Sequence, residues 1–367
     1  MIDVITGRGA QPEAIAGPAR RSLCPSGLAY PLKFLADKKL YTHTRYCLAR
    51  LRALDRDRPD MPPVEVERYH FYWQGPFGAK QAFALKSLLA TQQTGTFELW
   101  LWLDHESGYD GYLENPLLRP LLSAISVRRF VPADEAKGTP LEGRKEHWER
   151  PSVKRSNFFR HIVLFRYGGT YVDTDTAILR DMGDLRHVPG MAPEFINQWS
   201  YRRCGNSAML RLRKESSTAT ALLERGLAKG NCDPRDNLRF EDTEDLDLLV
   251  LPAAFFDPLW LCYDGRDKSA QTPFGSFSEF FRPFDSEFPR PQGFRDHRDF
   301  FPGAFAYHWH NQWQAPEVRN SYYGILDAGF SAALNRKAAT RFSSLRHWAA
   351  SGGSKVRALL SSARARR

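Results

Sequence analysis

The chain has few cysteines, and they are not arranged in pairs. Its 367 residues include five of them, at Cys24, Cys47, Cys204, Cys232 and Cys262. An odd number of scattered cysteines without a C-x-x-C pair indicates neither a disulfide framework nor a zinc site. We therefore expect the protein to occupy a reducing compartment.

Long hydrophobic runs are also missing. The N-terminal stretch MIDVITGRGAQPEAIAGPARR lacks the continuous apolar segment that a signal peptide contains. The most apolar region, LDLLVLPAAFFDPLWLCY, is interrupted by Pro252, Asp257 and Pro258, so it is too broken to cross a bilayer. These absences predict a cytoplasmic protein without a membrane span.

Acidic residues are absent after Asp327, although the whole chain carries a net charge of +10. Basic and apolar side chains alternate through residues 331–367, which is typical of one or two short basic amphipathic helices. Three interpretations of this tail stay open: a solvated tail, peripheral docking on the anionic inner face of the cytoplasmic membrane, and nucleic-acid binding. No recognised nucleic-acid-binding motif accompanies the charge, so we expect no nucleic-acid partner.

The pattern of prolines and apolar residues divides the chain into three parts. Residues 1–63 form an N-terminal extension, partly helical and partly disordered, that ends in a proline-rich linker. Residues 64–330 contain the strand and helix patterns of a folded domain, and residues 331–367 form the basic tail.

Strand and helix patterns alternate in the folded part. A strand in VEVERYHFYWQGP, closed by Gly75 and Pro76, precedes a helix over AKQAFALKSLLAT and a strand in FELWLWLD. Another strand, ISVRRFV, precedes a helix over SNFFRHIVLFRY, with Ser156 as its N-cap and a glycine pair at its end. A further helix covers ESSTATALLERGLAKG. The β-α-β order predicts an α/β fold with a mostly parallel sheet.

Two aspartates stand one residue apart after the glycine pair, in YGGTYVDTD. In an extended segment, residues i and i+2 face the same side, so the carboxylates of Asp173 and Asp175 can converge. Such a pair needs a cation, and carboxylates suit Mn²⁺ or Mg²⁺. The pair follows a strand, and open α/β sheets bind ligands at the carboxyl ends of their strands. The same spacing in LDRDRPD and TEDLDLL indicates a solvated linker and an acidic turn before a buried strand.

Several motifs in the same order resemble the DXD-containing sugar-transferase group of GT-A glycosyltransferases. The resemblance covers most of residues 64–315 and extends to the capsular polysaccharide, α-1,4-galactosyl and N-acetylglucosaminyl transferases, a family 32-like group. It rests on YHFYWQGP, KRSNFFRHIVLFRYGGTYVDTD, CGNSAMLRLRKESSTATALLERG, LLVLPAAFFDP and FAYHWHNQW. It implies the Rossmann-like GT-A fold and a metal-dependent hexosyltransferase.

The resemblance also implies roles for individual residues. The catalytic group comprises Asp173, Asp175 and Arg160, with Arg160 holding the donor sugar or its phosphate. The metal, Mn²⁺ or Mg²⁺, is assigned to Asp175, Asp173, His308, His310 and Asn311. Contacts with the nucleotide-sugar donor are assigned to Trp73, which stacks on the base, and to Ser156, Asn157, Tyr171 and Asn206. Asn157 departs from the family pattern, which has an aspartate there that contacts hydroxyls of the donor sugar.

The function predicted from the resemblance is sugar transfer from a UDP-sugar to a saccharide or glycolipid acceptor, with retention, in surface polysaccharide or glycolipid synthesis. Two alternatives stay open. One is a mannosyltransferase that uses GDP-mannose, and the other is a non-catalytic glycan-binding subunit with the same fold.

Overall fold

The computed structural model describes residues 66–104, 109–147, 153–186, 194–199, 204–239, 246–251, 253–260, 273–301 and 304–340. The predicted N-terminal extension and the part of the basic tail after residue 340 lie outside these ranges. The predictions about them therefore stay predictions, as does the division of the chain into three parts.

The nine strands of the described residues form a central seven-stranded sheet and a separate two-stranded sheet. The strands are β1 (Glu67–Trp73), β2 (Phe97–Leu103), β3 (Ser126–Arg129), β4 (Gly169–Val172), β5 (Thr176–Ile178), β6 (Glu194–Gln198), β7 (Gly205–Leu212), β8 (Leu248–Leu251) and β9 (Ala306–His308). The main sheet has the order β3-β2-β1-β4-β7-β6-β8, and β5 pairs with β9 in a separate two-stranded sheet. Within the main sheet β7 is antiparallel to both its neighbours, and the other pairs are parallel. The predicted α/β fold with a mostly parallel sheet is confirmed.

Four longer helices accompany these strands in the described ranges. They are α1 (Ala79–Thr91), α2 (Val153–Tyr167), α3 (Ser217–Lys229) and α4 (residues 322–340). Short helical segments comprise Tyr109–Leu113, Arg119–Ala124, Pro132–Ala136, Lys145–His147, Gly183–Arg186, Pro234–Asn237, Ala253–Phe256 and Phe277–Phe280. Among the described residues, no helix combines the length and apolar character that a membrane crossing requires.

Both faces of strand β2 are buried, each by a different set of side chains. Leu99, Leu101 and Leu103 pack into a cluster that includes α1, whereas Trp100 and Trp102 pack on the opposite face, in a cluster that includes α2 and α3. Alternate residues of a strand face opposite sides, so FELWLWL covers both layers of the core. Both faces of this part of the sheet are thereby covered by helices.

The prediction that Ser156 caps α2 is wrong, because the helix begins at Val153. Arg155 lies in the additional turn, where its guanidinium forms a buried ion pair with Asp104 at 2.5 Å. Two buried opposite charges fix this turn, and that contact depends on tertiary structure rather than on local sequence. Ser156 therefore lies inside the first turns of the helix.

The predicted end of α2 at the glycine pair is confirmed. Gly168 and Gly169 have φ values of 62° and 103°, in the left-handed region that favours glycine. A Cβ on Gly169 would lie 2.2 Å from the carbonyl oxygen of Arg68 in the neighbouring strand. The pair thus lets the chain turn from α2 into β4, and β4 ends directly before Asp173.

The helix α4 continues through residues 330 and 331, where the sequence predicts the start of the tail. The ammonium group of Lys337 donates to the carbonyl oxygens of Leu89 and Gln92, at 2.8 and 2.6 Å, at the C-terminal end of α1. Residues 331–340 are therefore helical, and Lys337 satisfies carbonyl groups that a helix end leaves unpaired.

Candidate active site

Strand pairing brings the two aspartates together with His308 and His310. Asp173 follows β4, and its backbone N–H donates to the carbonyl of Ala208 in β7 at 2.8 Å. Asp175 precedes β5, in which Thr176 pairs with His308 of β9. The backbone N–H of Trp309 donates to the carbonyl of Asp175 at 3.0 Å. Segments far apart in sequence thus meet at the carboxyl end of β4.

The Asp175 carboxylate is buried, and both its oxygens have partners. His308 Nε2 lies 3.1 Å from Oδ1, and the backbone N–H of Asn311 donates to Oδ2 at 2.8 Å. Burial alone would raise the pKa of Asp175, but the charge of His308 and these hydrogen bonds hold it at about 2. Burial likewise opposes the charge on His308, yet Asp175 raises the pKa of His308 to about 9. Without a metal, the pair is therefore ionic at neutral pH.

Asp173 is partly exposed to the cleft and is held from the side. Its Oδ1 accepts a hydrogen bond from the Tyr171 hydroxyl at 2.6 Å and lies 3.2 Å from the Arg160 guanidinium. Arg160 in turn donates to the carbonyl and hydroxyl oxygens of Ser207, at 2.9 and 2.8 Å. The arginine is buried but points its charge towards the aspartate pair. Residues from α2, β4 and β7 thus fix one carboxylate beside a permanent cation.

Behind the histidines lies a further carboxylate, Asp257, which follows the short helix Ala253–Phe256. Its Oδ2 lies 2.6 Å from His310 Nε2 and 3.8 Å from His308 Nδ1. The two imidazole rings stack with their centroids 3.8 Å apart. Asp257 is fully buried, and apart from its place in LLVLPAAFFDP no pattern in the sequence assigns it to the site.

The residues present fit a divalent metal. Asp173, Asp175 and His308 offer ligand atoms within 4.8 Å of one another, as do Asp257, His308 and His310. Two buried atoms of this group, Asp257 Oδ1 and His308 Nδ1, make no hydrogen bond within the described part of the chain. Carboxylate oxygens and imidazole nitrogens suit Mn²⁺.

Asn311 is placed in the site mainly through its backbone. Its amide oxygen accepts from the indole N–H of Trp313 at 3.2 Å, and its N–H contacts Asp175. Both His310 and Asn311 have positive φ, 48° and 58°. Two consecutive non-glycine residues in this region cost free energy, and such strain concentrates at ligand sites. The assignment of Asn311 as a metal ligand stays a prediction.

All predicted site residues line one cleft of about 480 Å³. Trp73 lies at one side, its ring centroid 4.9 Å from that of Trp313 and its indole N–H donating to the carbonyl of Pro76. Asn206 accepts the backbone N–H of Ala208 through its side-chain oxygen. Other lining residues not predicted from the sequence include Tyr72, Gln74, Trp199, Ser207, Asp233 and Arg235. The structure brings the predicted residues together, and their individual roles stay predictions.

Comparison with known proteins supports the DXD assignment. Residues 122–199 match a family model described as "Glycosyltransferase sugar-binding region containing DXD motif". The resemblance of this stretch to DXD glycosyltransferases is therefore confirmed. Among the curated proteins compared with the chain, none matches.

Solved glycosyltransferase structures are also similar to the chain. Mouse xyloside xylosyltransferase 1 is 17% identical, with 68% of this chain and 99% of that chain covered and a TM-score of 0.39. Glycosyltransferase GlyE of Streptococcus pneumoniae TIGR4 is 14% identical, with 76% and 64% covered and a TM-score of 0.45. An active-site mutant of LgtC is 12% identical, with 73% and 95% covered and a TM-score of 0.42.

Proposed function

We propose that the protein is a divalent-metal-dependent glycosyltransferase that moves a sugar from a nucleotide-sugar donor, in the first place a UDP-sugar, to a saccharide or glycolipid acceptor. The observation that carries the proposal is that Asp173, Asp175 and His308 lie together at one cleft. The two aspartates belong to the segment that matches the DXD sugar-binding region, and His308 lies outside it in the sequence. The group is acidic and only partly satisfied by the protein, as expected of a metal and diphosphate site.

The proposed roles follow from the contacts of each side chain. Asp173, Asp175 and His308 would hold Mn²⁺ or Mg²⁺, which when bound offsets the negative charge that grows on the leaving diphosphate. Arg160 is fixed by Ser207 and adds a permanent positive charge beside Asp173. Because these groups are positioned before the donor arrives, little reorganisation is needed when charge develops.

The nucleotide base has an aromatic surface available at the edge of the cleft. Trp73 is half-buried there, and it can stack on a base through its ring face. Ser156, Asn157, Tyr171 and Asn206 line the same cleft and supply polar atoms for the ribose, the diphosphate or the donor sugar. Asparagine at position 157 offers both donors and an acceptor, so it can bind sugar hydroxyls without a charge.

Retention of the anomeric configuration, membership of the family 32-like group and a role in surface polysaccharide or glycolipid synthesis belong to the proposal as well. The basic tail would hold the enzyme at the inner face of the cytoplasmic membrane, where a lipid-linked acceptor is accessible. The tail's excess of basic residues interleaved with apolar ones motivates this location.

The deciding experiment is calorimetric titration of UDP and of GDP into the purified protein, with and without Mn²⁺. We expect metal-dependent binding of UDP that Asp175→Asn abolishes. The matched control is Asp299→Asn, which loses an exposed pair with Arg295 at 3.2 Å and should bind as the wild type does. Preferential binding of GDP would instead favour a mannosyltransferase. A folded protein that binds neither nucleotide would contradict the proposal.

A further inference from the structure

Strand β7 contains a β-bulge beside the cleft, where it pairs with β6. Ile196 of β6 lies opposite Leu210, and the next residue of β6, Asn197, lies opposite Asn206. Three residues of β7, 207–209, therefore have no counterpart in β6, and both strands lie wholly within the described residues. A bulge interrupts the ladder of backbone hydrogen bonds, so the N–H groups of its residues need other acceptors.

The side-chain oxygens of two asparagines accept hydrogen bonds from two of these N–H groups. Asn206 Oδ1 accepts the N–H of Ala208 at 3.0 Å. Asn197 Oδ1, on the neighbouring strand, accepts the N–H of Met209 at 3.2 Å. Asn197 is buried and does not line the cleft, whereas Asn206 does. The side chain of Asn197 thus supplies, from β6, an acceptor that the interrupted ladder does not.

The bulge contacts two charged groups of the proposed site. The carbonyl and hydroxyl oxygens of Ser207 accept hydrogen bonds from Arg160 at 2.9 and 2.8 Å. The carbonyl of Ala208 accepts the backbone N–H of Asp173 at 2.8 Å. The guanidinium of Arg160 lies 3.2 Å from the carboxylate of Asp173. A shift of the bulge would therefore move both charged groups relative to the cleft.

We propose that Asn197 is a positioning residue of the site. By accepting the N–H of Met209, it fixes the bulge, and the bulge in turn holds Arg160, through Ser207, beside the diphosphate of the donor. This inference rests on the proposed function. Bulges occur next to active sites, where they redirect side chains. Asn197 acts through the bulge and does not touch the donor.

The test compares Asn197→Leu with Asn197→Asp. Leucine has a similar size but no acceptor. A carboxyl group keeps an oxygen for the Met209 N–H and loses only the Nδ2 donor, which has no hydrogen bond within the described residues. Calorimetry measures UDP binding in the presence of Mn²⁺, with GDP in place of UDP if the wild type prefers it. We expect Asn197→Leu to bind about tenfold more weakly than the wild type, and Asn197→Asp to bind within about threefold of it.

The matched control is Gln92→Leu. Gln92 is also a buried amide, and its side-chain oxygen accepts the N–H of Met182 at 3.0 Å, but it does not line the cleft. Its replacement should destabilise the protein much as Asn197→Leu does, yet leave nucleotide binding unchanged. If both variants bind nucleotide equally weakly, the loss follows from stability alone and the positioning role is overturned.

A double-mutant cycle with Arg160→Gln tests whether Asn197 acts through the arginine. Residues of one hydrogen-bond network have coupled effects, so Asn197→Leu should weaken nucleotide binding little once Arg160→Gln is present. Two losses that multiply independently in the double variant would overturn the inference. Equal binding by the wild type and Asn197→Leu would overturn it as well and leave the proposed function intact. A folded wild type that binds neither UDP nor GDP would overturn both.

Amide hydrogen exchange of the wild-type protein avoids the variants, in case Asn197→Leu does not fold. We expect the N–H of Met209 to exchange as slowly as the N–H groups that are paired within β7, because Asn197 protects it. Rapid exchange of this N–H would mean that Asn197 does not hold the bulge, and it would contradict the proposal.

Discussion

Carboxylates are buried at both ends of strands β1, β4 and β7, but their hydrogen-bond and ion-pair partners differ. At the amino end of β1, Glu67 pairs with Arg211 at 2.8 Å and accepts the Thr170 hydroxyl at 2.6 Å. No buried side-chain atom of these three residues lacks a hydrogen bond. At the carboxyl end of β4, Asp257 Oδ1 and His308 Nδ1 have no hydrogen bond within the described residues, and Asp173 is partly exposed.

We infer from this difference that the buried charges around Glu67 stabilise the fold and that those around Asp175 take part in binding. Arginine cannot lose its proton inside a protein, so the charge of Arg211 in the Glu67–Arg211 pair is fixed. Histidine can change its charge, so the group around Asp175 can exchange a proton for a metal ion. A satisfied network stabilises the fold, whereas the ligand atoms of Asp173, Asp175 and His308 lie together at the cleft, where a metal ion can bind.

We call the amino end of β1, where Glu67 lies, the structural end, and the carboxyl end of β4, where Asp173 and Asp175 lie, the binding end. The largest effect on stability is expected at the structural end. Glu67→Gln leaves the Arg211 guanidinium buried without its counter-charge, so the free energy of unfolding should fall by about 3–5 kcal/mol. Urea unfolding measures the loss. The control is Glu98→Gln, because Glu98 pairs with Arg68 at the surface and its loss should cost about 0–1 kcal/mol. Equal losses in the two variants would remove the distinction between the two ends.

One charged side chain near the binding end, that of Lys80, has a structural role, so the contrast between the two ends is not complete. Lys80 of α1 donates to the carbonyls of Gln312, Trp313 and Ala315 at 2.6–2.7 Å, and thereby fixes the loop that follows His310. Lys80→Met should lower the free energy of unfolding by about 2–3 kcal/mol, because these carbonyls lose charged donors. It should also weaken UDP binding, because Trp313 and Asn311 lose their support.

Lys86→Met is the matched control for that prediction, since Lys86 lies on the same helix and pairs with Asp327 on the side of α4. Its loss should cost less than about 1 kcal/mol and leave UDP binding unchanged. Denaturant unfolding and calorimetry are run on both variants. If Lys80→Met binds UDP like the wild type, the loop does not depend on the lysine.

At the binding end itself, removing a carboxylate should affect stability less than it affects binding. In Asp175→Asn, the amide oxygen still accepts from the Asn311 N–H, and His308 can lose its proton, so no charge is stranded. We expect a loss of about 1–2 kcal/mol in the free energy of unfolding, well below that of Glu67→Gln. Urea unfolding of both variants without metal tests the order, and a larger loss in Asp175→Asn would reverse the comparison.

The sequence predicts the elements that carry this site better than it predicts the contacts within it. The bounds of α1 follow from its apolar spacing, and the end of α2 follows from Gly168 and Gly169, because both signals are local. The start of α2 could not be predicted, because Arg155 and Asp104 meet only after folding. Local propensity therefore placed the N-cap at Ser156, although the helix already includes Val153.

The same difference between local sequence patterns and contacts formed only after folding applies to the site. The spacing of Asp173 and Asp175 indicates a metal, and the motif FAYHWHNQW indicates His308 and His310, since each is a short pattern. Asp257 stands in the motif LLVLPAAFFDP, but that pattern does not indicate a contact with the histidines, which depends on how the chain after β8 meets β9. A lone aspartate in an apolar stretch gives no local signal for that contact.

The smallest predicted effect is a pH dependence at the structural end. His70 is buried, its Nε2 lies 2.9 Å from the Gly168 carbonyl, and its Nδ1 accepts the Trp102 indole N–H at 3.1 Å. This arrangement requires the neutral ring, and burial, the larger cause, lowers the pKa of His70 from 6.5 to about 3. Buried His161 has a pKa of about 3 for the same reason.

Between pH 6.5 and 3, the unfolded chain binds protons at His70 and His161 that the folded chain does not. Stability is therefore fully present above pH 6.5 and falls as the pH decreases, by about 1 kcal/mol per histidine over the first pH unit below 6.5. Urea unfolding at several pH values measures the slope. His70→Gln should remove the share of His70 and leave that of His161. An unchanged slope in the variant would mean that His70 is already charged in the folded protein, so that the end opposite the metal site also changes its protonation.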